Sequence, residues 1–141
     1  MKNTILALKG TEKSGKSTTI RKVYEMLKSE YDGEMSIIVE HAGDVDIKAI
    51  LVVKGIKIGI ESQGDPGGRL KESLKEFVEK GCVVIICTTR TRGSNVDLVN
   101  GLQPRYCVFW FQQVKVAELD QETTNNAMAN KILEKFKLLN R

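Results

Sequence analysis

The sequence predicts an α/β fold: a three-layer α/β/α sandwich built on a mostly parallel sheet of five to six strands, one of them an antiparallel hairpin strand. Three observations predict it. Short apolar runs alternate along the chain with segments of helical periodicity, the pattern of strands joined by crossover helices. The run 83–87 (VVIIC) is apolar without interruption, as a strand covered on both faces must be. Two β-rich runs flank Lys54-Gly55, and a two-residue connection with glycine second closes a tight hairpin.

The elements follow in order. Thr4–Lys9 (TILALK) is a short apolar run stopped by Gly10 and reads as a buried strand. From Lys16, the residues Ile20, Val23, Leu27 and Tyr31 recur at helical spacing until Asp32-Gly33 ends the helix. A strand over 36–40 leads into an acidic loop, 41–46. The hairpin runs 47–53 and 56–60 come next, then the breaker-rich stretch 61–68 (ESQGDPGG). Leu70, Leu74, Phe77 and Val78 mark an amphipathic helix closed by Gly81. After the strand 83–87 come a loop over 88–93, a short helix over 96–102 and a last strand over 106–111. Met128, Ile132, Phe136 and Leu139 line a C-terminal helix. The expected strand order across the sheet is 37–40, 48–53, 56–60, 4–9, 83–87, 106–110, with 48–53 antiparallel.

Length and composition narrow the classes. A chain of 141 residues, 41% hydrophobic and 28% charged, reads as a single globular domain over residues 1–141. No apolar run approaches the roughly 20 residues that span a bilayer, and the N-terminal run is too short for a secretory signal, so the expected location is the cytoplasm. Cys82, Cys87 and Cys107 sit in or beside apolar runs, and His41 is the only histidine. Those cysteines read as small core side chains, which argues against a zinc site or a Cys-His nucleophile. The net charge of +4 is spread among interleaved acids, without the dense basic stripe and neighbouring aromatics of a nucleic-acid surface. A phosphate-rich small ligand accounts for it as well.

The chemistry concentrates in Gly10-Thr11-Glu12-Lys13-Ser14-Gly15-Lys16-Ser17, which matches G-x-x-x-x-G-K-[ST] between a strand and a helix. Backbone N–H groups can curl around a phosphate only where glycine relieves clashes and permits positive φ. The helix that follows aims its free N–H groups and positive dipole end at the same anion. In this pattern Lys16 reaches the β- and γ-phosphates, Ser17 binds Mg²⁺, and Thr18 is placed to donate to the α-phosphate.

On these residues the chain resembles the P-loop NTPase superfamily, and its layout is nearest to the small nucleotide and metabolite kinases. The resemblance implies an Mg²⁺-bound nucleoside triphosphate, ATP or GTP, held by residues 10–18. It also implies a second acid for the metal, commonly at the end of a hydrophobic strand. The strand 83–87 ends without one, which leaves Glu61 or Asp65. The hairpin resembles the switch region of small GTPases, but Glu61-Ser62-Gln63-Gly64 lacks the leading aspartate of D-x-x-G. No N/T-K-x-D is present either, since Asn130-Lys131-Ile132-Leu133 has no acid, so nothing here selects guanine. Likeness to the kinases implies an acceptor-binding acid after the second strand, where Glu40, Asp44 and Asp46 stand, with Asp44 the expected base. It implies lid arginines at Arg90 and Arg92, which would neutralise charge on the transferred phosphoryl group, and Arg69 as an anion clamp. Phosphoryl transfer to a small-molecule acceptor is therefore the first expectation. The second is a slow NTPase or nucleotide-controlled switch, whose 61–69 loop would order around the γ-phosphate and alter a protein or nucleic-acid partner surface.

Overall fold

The computed structural model describes residues 2–140. Its strands are β1 (Thr4–Lys9), β2 (Met35–Ala42), β3 (Ile47–Val53), β4 (Ile56–Glu61), β5 (Val84–Thr89) and β6 (Cys107–Gln112). Its helices are α1 (Lys16–Glu30), α2 (Leu70–Glu79), α3 (Ser94–Asn100) and α4 (Gln121–Leu139), with one turn of 3-10 helix at Glu118–Asp120. The six strands form one mixed sheet in the order β2-β3-β4-β5-β1-β6.

Side-chain alternation divides the core into two layers. Leu6 and Leu8 of β1, Ala49 and Leu51 of β3, and Val84 and Ile86 of β5 face α1 and α4, meeting Ile20, Val23, Leu27, Ile132 and Phe136. Ile5, Ala7, Ile50, Ile85 and Cys87 point the other way, toward Leu70, Leu74 and Phe77 of α2 and Val99 of α3. A period of two along each strand, with apolar residues on both phases, is what a sheet sandwiched between helices requires.

The hairpin forms as its sequence indicates. β3 and β4 pair antiparallel with Val53 opposite Ile56, and Lys54 and Gly55 take φ values of 49° and 80°, the two positive angles of a type I′ turn. β3 is antiparallel to both its neighbours, while β4, β5, β1 and β6 pair in parallel.

The expected strand order needs one correction. β5, not β1, lies beside β4, so β1 and β5 exchange places relative to the sequence-based order. Apart from half-buried Lys9 at the end of β1, both strands are buried throughout, so periodicity cannot tell which one is next to β4. The backbone decides: Val83 N–H donates to Lys57 O and Thr4 N–H to Val83 O, which seats β5 between the two. Smaller differences concern bounds. The short helix starts at Ser94 rather than 96, and β2 extends beyond 36–40 to Met35 and Ala42. β2 is an edge strand with a register shift between Ile37 and Val39, and it leaves Ile37 and Ile38 exposed.

Candidate functional site

Residues 10–17 bridge the end of β1 to the start of α1 over the edge of the sheet where the parallel strands end. Three local features shape them. Gly10 N–H donates to Thr89 O, tying the loop to β5, and Ser14 N–H donates to Thr11 O across a tight turn. Lys13 adopts a left-handed φ of 61°, a conformation that costs a non-glycine residue on the order of 1 kcal/mol. Gly15 follows with φ 92° and ψ 13° as the residue before α1, where an L side chain would be strained. The Ser14 hydroxyl is buried and has no hydrogen-bond partner among the described residues.

Lys16 folds its side chain back over the loop. It is 6% exposed, and its Nζ donates to Gly10 O at 2.7 Å, to Thr11 O at 3.1 Å and to Asp65 Oδ1 at 3.4 Å. Burial holds its pKa below the usual lysine value, with Asp65 pulling the other way. The same Asp65 oxygen accepts from Arg90 Nε at 2.8 Å, and Arg90 Nη2 lies 3.7 Å from Glu12 Oε2. Ser17 Oγ donates to Ser62 O at 3.3 Å, and Thr88 Oγ1 donates to that carbonyl at 2.8 Å. A cavity of about 430 Å³ opens between residues 13–18 and residues 62–68, with Asp46 on its wall.

The neighbouring loop reaches this position by crossing β5. At Gly64 a Cβ would lie 1.6 Å from Thr88 O, so only glycine lets the chain pass there. Asn95 Nδ2 then donates to Gly64 O at 2.8 Å, anchoring the crossing to α3.

Of the residues singled out from the sequence, Lys13, Ser14, Gly15, Lys16, Ser17, Thr18 and Asp65 line the cavity. Gly10 is buried beneath the loop, and Thr11 and Glu12 are exposed on its outer side. Arg90 reaches the group through Asp65, whereas Arg92 is exposed and outside the lining. Glu61 is fully buried and turned away. Its carboxylate accepts from Arg69 Nε at 2.8 and 3.0 Å, from Ser73 Oγ at 2.5 Å and from Gln63 N–H at 3.1 Å. Asp44 is exposed and off the cavity wall. Asp46 stands there instead, accepting from Gln63 Nε2 at 3.0 Å and Ser62 Oγ at 3.3 Å, while Glu40 accepts from Tyr24 Oη. Among the described residues, no three His, Cys, Asp or Glu side chains converge as a self-sufficient metal site.

Family models, curated proteins and solved structures offer no match to this chain.

Sequence reasoning overlooked the residues behind the loop. Thr19, Gln113, Gln121 and Asn125 meet the Ser14 carbonyl side of the loop, away from the cavity. One signal for them was available: Gln113 is polar at the end of an apolar strand, and Gln121 and Asn125 stand four apart on one helix face.

Proposed function

We propose that this protein binds the triphosphate of Mg-ATP in the cavity bounded by residues 13–18 and 62–68, as a P-loop NTPase would, and acts as a phosphotransferase. The observation that carries the reading is the setting of Lys16. A buried ammonium is stable only with a counter-charge, and here two loop carbonyls and the Asp65 carboxylate share it. Asp65 thus stands as an internal anion where a phosphate oxygen would be welcome, and Arg90 converges on it from the other side. The unpartnered Ser14 hydroxyl and the positive end of α1 favour an anion at the same place.

Mg²⁺ entering with the triphosphate would be held by the Ser17 hydroxyl with Asp65, and would offset the negative charge of the phosphates. Few protein ligands suit such an ion, because magnesium at these sites takes the rest of its shell from phosphate and water. Glu61 has another task in this reading: with both oxygens engaged, it orients Arg69 rather than the metal. Asp46 takes the acceptor-facing role that the sequence assigned to Asp44.

One observation favours a second reading. Asp65 belongs to the loop that would have to release Lys16 and Arg90 when phosphate arrives, so nucleotide could rearrange residues 62–68 and thereby a partner surface. A single experiment separates the two: ADP release from Mg-ATP by wild type and Lys16→Ala, with and without a pool of nucleosides, nucleotides, sugars and acid metabolites. Strong acceleration of the wild type by the pool, and silence of the variant, support phosphotransfer. Binding with slow turnover, indifferent to the pool, rejects phosphotransfer and leaves the nucleotide-dependent rearrangement.

A further inference from the structure

The back of the loop is held by a closed ring of neutral amides. Gln113, 2% exposed and the first residue after β6, donates from Nε2 to Ser14 O at 2.6 Å and to Asn125 Oδ1 at 2.7 Å. Gln121, the first residue of α4, donates from its own Nε2 to the same two oxygens, at 3.0 and 2.9 Å. A primary carboxamide has two N–H donors and a carbonyl oxygen two lone pairs, so the four hydrogens and four lone pairs match with none left over. The remaining oxygen of Gln113 accepts from Thr19 Oγ1 at 2.8 Å, which is shorter than the 3.3 Å from that hydroxyl to Asn125 Oδ1 and so takes its single proton. Asn125 is itself 3% exposed.

This ring bears on one peptide plane. The Ser14–Gly15 peptide is planar and trans, so its carbonyl and its N–H point in opposite directions. Two donors fixed on the Ser14 oxygen therefore fix the Gly15 N–H facing away from the ring, on the side of the loop that lines the cavity. The ring also explains why position 15 excludes a side chain apart from its φ. A Cβ there would lie 2.3 Å from Gln121 Nε2 and 2.4 Å from Asn125 Oδ1.

We infer that Gln113, Gln121 and Asn125 are positioning residues that aim the Gly15 N–H at the bound phosphate, so that α4 and the end of β6 control how well the loop binds. The inference rests on the phosphate-binding reading above. A network that only tied α4 to the sheet would change stability and leave phosphate affinity alone. A network that aims an N–H changes affinity for the phosphate portion of the ligand itself.

The test uses Gln121→Met, which keeps the length of a half-buried side chain and removes both donors, with Gln113→Met as the deeper second variant. Calorimetric titration with Mg-ATP and with magnesium tripolyphosphate is expected to show each ligand bound about tenfold more weakly by Gln121→Met. Its circular dichroism should match wild type at the titration temperature, and the Gly15 cross-peak in the ¹H–¹⁵N spectrum of the ligand-free protein should move. Gln121→Glu, which turns an acceptor oxygen on the Ser14 carbonyl, is expected to lose more than Gln121→Met. Wild-type affinity for tripolyphosphate in both methionine variants would overturn the inference and leave nucleotide binding standing, since Lys16→Ala tests that separately. A wild-type protein that binds neither probe overturns both.

Discussion

The two sides of the loop are built from different physics. On the cavity side stand Lys16 and Asp65, with Arg90 paired to Asp65 and Glu12 behind them, in ionic pairs 2.8 to 3.7 Å apart, Asp65 and Arg90 each a third or more exposed. On the far side stand Gln113, Asn125, Gln121 and Thr19, uncharged, with two donors on each of the Ser14 and Asn125 oxygens. The two Arg90 pairs, with every partner a third or more exposed, are worth little and re-form readily with another anion. A neutral network in a low-dielectric interior resists rearrangement, because each broken bond strands a buried group. The contrast teaches how a short loop can be both exchangeable and rigid: its charges face the cavity, and its geometry is set from behind.

The comparison breaks most severely at the glycine between the two sides. Gly15→Ala places a methyl against Gln121 and Asn125 at a φ of 92°, and should cost about 3 kcal/mol in urea unfolding together with phosphate binding. A variant as stable as wild type would show the rear network to be pliant. Next is the front alone. Lys16→Ala should lower Mg-ATP affinity by about 100-fold, roughly 2.7 kcal/mol, while leaving the fold intact in a calorimetric and circular-dichroism comparison.

Asp65→Asn sharpens the view of the front further. Removing the internal carboxylate frees Lys16 and Arg90, so metal-free tripolyphosphate should bind about fivefold more tightly. Weaker binding of that probe would sink the counter-ion reading, whereas weaker binding of Mg-ATP alone would mark Asp65 as a metal ligand.

Titration supplies a signed test. The pKa of Lys16 lies below its unfolded value of 10.5 because of burial, so between the two the unfolded chain holds more protons and stability rises with pH. Phosphate affinity needs the ammonium and should fall over that same alkaline window, and Lys16→Met should abolish both slopes. The smallest effect lies far from the loop. Lys48 and Lys80 hold Glu76 at a pKa of about 2, against 4.5 unfolded, so their stabilisation is complete above pH 4.5 and fades toward pH 2. With Glu76 28% exposed, about 1 kcal/mol should be lost in acid, and Glu76→Gln should flatten that limb of the urea-stability profile.

Local chemistry was legible without a structure. Alternation, apolar runs and breakers located the strands and the first three helices to within a few residues, and Lys54-Gly55 announced its hairpin, because these features depend on neighbours along the chain; the last helix was marked only from Met128, although α4 starts at Gln121. The glycine and lysine spacing of residues 10–17 marked the loop for the same reason. Which strand lies beside which was not legible: TILALK and VIICTT are equally apolar on both faces, so either satisfies either slot until long-range backbone bonds choose. Nor could spacing distinguish Asp44 from Asp46, or show Glu61 turned inward to Arg69, since side-chain direction at a loop is set by what packs there. The ring of Gln113, Gln121 and Asn125 joins residues about a hundred positions from Ser14. The amino-acid sequence by itself determined what the loop is made of; only the tertiary structure decided what stands in front of it and behind it, because hydrogen bonds and charges act through space and not along the chain.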